Sequence, residues 1–126
     1  MTKAYFAGDI KAGAQSLPFS PAVQAGNLVF ISGAVALDDR GTVIEGGIEV
    51  QTRQVFKNLE KSLALAGCTL ADVVKVTVWL DDARDFFPFN RVYAEYFPGN
   101  KPARSTVQAK LMLDAKVEIE MVAYKG

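Results

Sequence analysis

The stretch that decides the fold is "VVKVTVWL", residues 73–80. It is rich in β-branched residues that alternate, so it reads as a strand. A period of two puts Val74, Val76, Val78 and Leu80 on one face and Lys75, Thr77 and Trp79 on the other. Just upstream, Ile48–Ala66 changes to helical spacing: Val55, Phe56, Leu59, Leu63 and Ala66 make one apolar stripe. Glu49 and Arg53 stand four apart, the spacing of an ion pair on a helix surface, and Gly67 suits the left-handed residue that ends a helix. Thr69 to Asp72 resembles a cap and a brief turn between helix and strand. Downstream, Asp81, Asp82 and Asp85 are N-cap candidates for a second helix running to about Phe97, with Pro88 in its first turn.

Farther out, "NLVFISG" (27–33) reads as a short strand apolar on both faces, preceded by a shorter one at Ala22–Ala25 and another near Ala4–Ala7. "LDDRGTVIEGG" is turn chemistry. Two strands close the chain, Arg104–Lys110 and Lys116–Tyr124. In the last, Val117, Ile119, Met121 and Ala123 face one way, and Glu118, Glu120 and Val122 the other. This order predicts an α+β domain spanning 1–126, one sheet with two helices packed on one face. The uncovered face would carry Trp79, Thr77, Thr106, Val122 and one side of 27–33, mixed with Glu118 and Glu120. Such a surface is too apolar to stay wet and too polar for a core. An oligomer that packs sheet faces together around polar pockets resolves it.

Composition narrows the chemistry. Of 126 residues half are apolar, and fourteen basic side chains balance fourteen acidic ones. That neutrality argues against nucleic acid as the main partner, since phosphate binding draws on excess Lys and Arg. Cys68 is the one cysteine, so no intramolecular disulfide can form; it reads as a packing residue in a cytosolic protein. The N-terminal residues lack the apolar core of a secretion signal, and no apolar run is long enough to span a bilayer. There is no histidine. Ser-His and Cys-His nucleophile systems and the common zinc sites are therefore excluded. Any catalysis must rest on carboxylates, Arg, Lys, hydroxyls and backbone.

"PARSTVQAK" (102–110) holds the first candidate. Arg104 opens a strand with no acid near it in sequence, and its planar fork matches a carboxylate bidentately. On the residues alone, an ion pair with Glu118 or Glu120 at an interface competes with that reading. Glu118 would be partly desolvated on such a face, raising its pKa toward the range of a general acid or base; Glu120 fits the same pattern. Ser32 reads equally as a serine ending a strand, and Asn90 as an exposed polar residue.

Taken together, "PFSPAVQAGNLVFISGAVAL", "NLEKSLALAGCTLADVVKVTVWLDD", "NRVYAEYF", "KPARSTVQAKL" and "VEIEMVA" resemble the RidA/YjgF family of small trimeric proteins over nearly the whole chain. The resemblance implies a chorismate-mutase-like fold and a homotrimer with active sites between subunits. It also implies hydrolysis of 2-imino or 2-enamino acids to 2-oxo acids and ammonia, with no cofactor and no metal. It assigns the substrate carboxylate to Arg104 and the proton relay beside the attacking water to Glu118. Phe19 would wall the pocket, Ser32 and Gly33 would allow close approach, Asn90 would be the helix asparagine, and backbone at Ser105–Thr106 would hold the imine nitrogen and a water. Two positions depart from the family. Phe19 stands where many members have tyrosine, and Thr106 where many have cysteine. Both alter pocket polarity, so a larger unsaturated substrate, as in 2-aminomuconate deaminases, is an alternative. A metabolite-binding, chaperone-like or RNA-cleaving trimer is another.

Overall fold

The structure, a computed structural model, describes residues 2–126. The elements in chain order are β1 (Lys3–Phe6), a small hairpin of β2 (Lys11–Ala12) and β3 (Gln15–Ser16), β4 (Ala22–Ala25), β5 (Leu28–Ala34), α1 (Ile48–Leu65), β6 (Val73–Leu80), α2 (Phe86–Tyr96), β7 (Ala103–Gln108) and β8 (Val117–Tyr124). Six strands form one sheet in the order β1-β4-β5-β8-β6-β7. Only β6 and β7 run parallel. A parallel step needs a crossover, and α2 supplies it. Both helices cover the same face of this mixed sheet, as the sequence predicts. The β2–β3 hairpin was not anticipated; two-residue strands carry no periodicity to read.

The core lies between helices and sheet. Val55, Phe56, Leu59 and Leu63 of α1 are fully buried against Val29, Val76, Val78, Val117, Ile119 and Ala123. Each such side chain contributes about 1.5–3 kcal/mol relative to exposure. Phe56 also stacks on Tyr96 of α2, ring centroids 4.1 Å apart, which fixes the two helices side by side.

Three local expectations change in the structure. The expected Glu49–Arg53 pair does not form: Arg53 reaches Glu95 at 3.0 Å and Arg91 reaches Glu49 at 3.3 Å, so each bridges the two helices. Once α2 lies beside α1, a cross-helix carboxylate competes with the one four residues away. Val74 does not join Val76 and Val78 inside. The β6–β8 register shifts between Val73 and Lys75, and this bulge buries Val73 while leaving Val74 46% exposed. Thr106 leaves the uncovered face. It shares its side of β7 with Arg104, which packs against α2, whereas Ser105 lies on the other side and accepts a 3.1 Å hydrogen bond from Lys75 Nζ.

The caps are selective. Asp82 accepts from the Arg84 amide at 2.9 Å in a short turn before α2, and Asp85 makes no capping bond. Thr69 and Asp72 form a capping box, the Thr69 amide donating to the Asp72 carboxylate at 2.8 Å. Polar side chains of α1 hold the loop that precedes it. Asn58 donates to the carbonyls of Val35 and Leu37 at 3.1 and 2.9 Å, and Gln54 to Leu37 at 3.0 Å. Cys68 is buried, and burial pushes its thiol pKa up, with Asp72 adding to the shift.

Candidate functional site

Arg104 enters near the start of β7, the edge strand, beside Val76 of β6. It points toward the helices, where Phe86, Phe89, Asn90 and Tyr93 share one face of α2 by their spacing of three, four and seven. The guanidinium lies 4.7 Å from the Tyr93 ring centroid, 5.5 Å from Phe89 and 5.8 Å from Phe86, and Nη2 donates to Asn90 Oδ1 at 2.8 Å. This arrangement holds the fork by cation–π contact and one hydrogen bond to a neutral acceptor. Among the described residues no carboxylate lies within ion-pair distance of it. Among the described residues Asn90 is the one side-chain acceptor at full hydrogen-bond geometry, with the Tyr93 hydroxyl close by. Tyr93 Oη, buried beside it, has no hydrogen-bond partner at that geometry. Burial raises the phenol's pKa, and the Arg104 charge pulls the other way. Asn90, predicted only through the family, is therefore joined to Arg104. The aromatic box was missed, though the spacing of Phe86, Phe89 and Tyr93 was there to read.

Glu118 stands on the opposite face. It pairs with Trp79 across β6–β8, and β6 separates its strand from that of Arg104. One chain therefore does not bring the two predicted catalytic residues together. Around Glu118 the sequence does assemble a site. The β5–β8 register shifts between Ile31 and Ala34, a bulge at Ser32–Gly33 facing the acid. A Cβ on Gly33 would overlap the Glu118 carboxylate, so glycine is what lets that carboxylate lie against the strand. Ser32 Oγ donates to the Ser20 carbonyl at 2.6 Å, and its amide donates to Pro21 at 3.0 Å. Its hydroxyl thus fastens residues 19–21 to β5 and sets the place of Phe19. Burial raises the Glu118 pKa above the ordinary carboxylate value, and the neighbouring Glu120 charge raises it further. Glu120, facing Thr77, is exposed.

Phe19, Ser32, Gly33 and Glu118 line one cleft of about 790 Å³, with the β2–β3 approach, the loop after β5 and the end of α1 as further walls. Arg104, Asn90, Ser105 and Thr106 are not part of it. The candidate residues thus fall into two half-sites, an anchor beside α2 and an acid in a cleft across the sheet.

Residues 10–125 match the family model described as endoribonuclease L-PSP. A RutC family protein of Pyrococcus horikoshii is 48% identical over 110 residues, 86% of this chain and 87% of that protein. The 2-iminobutanoate/2-iminopropanoate deaminase of Mus musculus is 43% identical over 92% of this chain and 87% of its own length. The crystal structure of TdcF from E. coli with bound serine superposes with a TM-score of 0.86 at 30% identity, covering 98% of this chain and 99% of that one. The sheet, its two helices and this near full-length similarity give one answer: the chain belongs to the RidA/YjgF family.

Proposed function

We propose that this chain hydrolyses small 2-imino acids, and their 2-enamino tautomers, to 2-oxo acids and ammonia. The observation that carries this reading is the chemistry of the two half-sites. One offers a guanidinium that no carboxylate neutralises among the described residues; the other offers a desolvated carboxylate beside a glycine. A carboxylate-bearing electrophile attacked by water needs both. The mouse relative's deaminase name and the serine held by the E. coli relative, an amino acid with the same α-carboxylate, support it.

The halves lie on opposite faces of one sheet, so we propose that a second copy completes each site. The anchor face of one copy against the acid face of the next is a head-to-tail contact, which closes into a ring rather than a two-fold dimer. A homotrimer satisfies this and covers Phe30, 45% exposed on the sheet. The buried lone cysteine fits a reducing compartment such as the cytoplasm. No helix among the described residues is long and apolar enough to cross a membrane.

In this mechanism Arg104 takes the substrate carboxylate bidentately, with Asn90 and the rings holding the fork. Glu118 accepts a proton from water as its oxygen bonds to C2 of the protonated imine, and the C=N electron pair moves to nitrogen, giving a neutral carbinolamine. Glu118 then returns that proton to the nitrogen, the C–N bond breaks and ammonia leaves, and the hydroxyl proton passes to the Glu118 carboxylate and on to solvent as C2 becomes the carbonyl. An enamine is first protonated at C3. Imines hydrolyse unaided, so positioning and one proton relay suffice. Phe19 supplies a wall, and the backbone at Ser105–Thr106 lies beside Arg104 to orient the nitrogen.

The test generates 2-iminopropanoate and 2-iminobutanoate in situ with an amino-acid oxidase, with semicarbazide competing for the imine. Wild type should speed 2-oxo acid release, and Arg104→Ala should lose about 100-fold or more of that acceleration, the worth of two charge-assisted hydrogen bonds. Equal rates with wild type, with Arg104→Ala and without protein would overturn the reading.

A further inference from the structure

Within one chain, before a second copy meets this face, the Glu118 cleft is larger than a three- or four-carbon imino acid requires. At about 790 Å³ it falls within the roughly 300–1,000 Å³ of clefts that hold drug-sized ligands. Its apolar lining comes from Leu17, Phe19, Leu65, Met112 and Leu113. The last two are unusual. Met112 is 73% exposed and Leu113 47% exposed, side by side at the cleft. Leu113 also sits at φ 60° and is followed by Asp114 at φ 57°. A left-handed leucine is a true outlier, since its Cβ crowds the backbone where glycine or asparagine would not. The chain accepts that strain just where it presents an apolar side chain to the cleft, and strain of this kind gathers at ligand contacts.

Apart from Glu118, the charged residues around the cleft already have partners. Lys11 pairs with Asp9 at 3.2 Å and Lys61 with Asp39 at 3.5 Å. Asp38 accepts from the amides of Arg40 and Thr42 at 2.9 and 3.0 Å. Each lysine already faces an aspartate, so a second carboxylate on the substrate, as in 2-aminomuconate, would have to compete for it. An uncharged apolar chain extending from C2 displaces water from the leucines, phenylalanine and methionine at no such cost.

Resting on the deaminase reading, we propose that the preferred substrates are 2-imino acids with long apolar side chains, with Met112 and Leu113 as specificity-determining residues. A single methylene in an apolar pocket changes kcat/KM by about 10–200-fold. Leucine- and methionine-derived imines should therefore exceed the alanine-derived imine by about tenfold or more.

The test supplies imines from alanine, leucine, methionine and glutamate with amino-acid oxidases of suitable range and measures kcat/KM for each. Leu113→Asn keeps a residue that tolerates positive φ, and Met112→Ser removes the neighbouring thioether. Each should lower the leucine-to-alanine ratio of kcat/KM, the double variant by about tenfold. Loss of folding would lower both rates and leave the ratio alone. In parallel, calorimetry with the product analogues 4-methyl-2-oxopentanoate, pyruvate and 2-oxoglutarate reads side-chain preference without turnover. Turnover of small imines with no preference for large apolar ones, or a ratio unmoved in a folded double variant, overturns this inference and leaves the deaminase reading intact. No turnover of any imine removes the deaminase reading, and the inference falls with it.

Discussion

The two half-sites are built differently. Arg104 sits in a finished environment: three rings, one asparagine, an edge strand and a helix that the same βαβ unit delivers. Everything that orients it lies between residues 76 and 104. Glu118 is held by contacts from far apart in the chain: a bulge in β5, a loop pinned by Ser32, and a cleft wall from the N-terminal hairpin to residue 113. In the proposed mechanism the anchor serves any carboxylate, and the roomier acid half would distinguish one substrate from another. Recognition of the common group and of the variable group can thus change independently.

The largest effect should come from breaking the acid half. Glu118→Gln removes the proton relay without changing its shape, and kcat should fall about 10²–10⁴-fold while KM changes little. The same variant should be more heat-stable than wild type at neutral pH. A carboxyl whose pKa is raised on folding binds more protons in the native state, so its ionisation costs stability as pH rises from the unfolded value, 4.5, through the folded one. The gain from glutamine should therefore vanish in melts below pH 4.5. If glutamine stabilises equally at low and neutral pH, burial of the charged form is not what distinguishes this half.

Next in size is Gly33→Ala. The added methyl overlaps the Glu118 carboxylate and must displace it. A shift of about 1 Å in a catalytic group costs about 10²-fold, here in kcat rather than in binding of the carboxylate by Arg104. Loss of product binding alongside kcat would show that the halves are not independent. The smallest effect sharpens the electrostatics. Glu120→Gln removes the like charge, so the Glu118 pKa falls and the acid limb of the kcat/KM profile moves to lower pH. Burial is the larger cause of the raised pKa and remains, so the limb should stay above that of an ordinary carboxylate. An unmoved limb would mean that another group sets it.

Much of the fold was legible because it is written in local periods. The alternation of 117–124 named its buried face residue by residue, and the α1 stripe did the same. Where periodicity misled, at Val74, a one-residue bulge had reversed the register, and no local pattern marks a bulge whose cause is a partner strand. The Glu49–Arg53 spacing was real, but both residues found closer company on α2. For the site, the family resemblance named Arg104, Glu118, Gly33 and Asn90 as candidates, and the structure joins Arg104 to Asn90 and sets Gly33 against Glu118. The placement of Thr106 beside Trp79 was not correct. Alternation orders residues within one strand but does not say which face of β7 aligns with which face of β6.

By itself, then, the sequence determined the two helices and the main strands, most of their buried stripes and the lack of histidine-based chemistry, because each follows from side-chain type and short-range spacing. Only the tertiary structure decided that Arg104 and Glu118 lie on opposite faces, that Gly33 gives way to a carboxylate, and that Met112 and Leu113 border the acid's cleft. Those relations depend on strand order and register. They are set by how a whole sheet closes over its core, a balance of packing among residues distant in the chain.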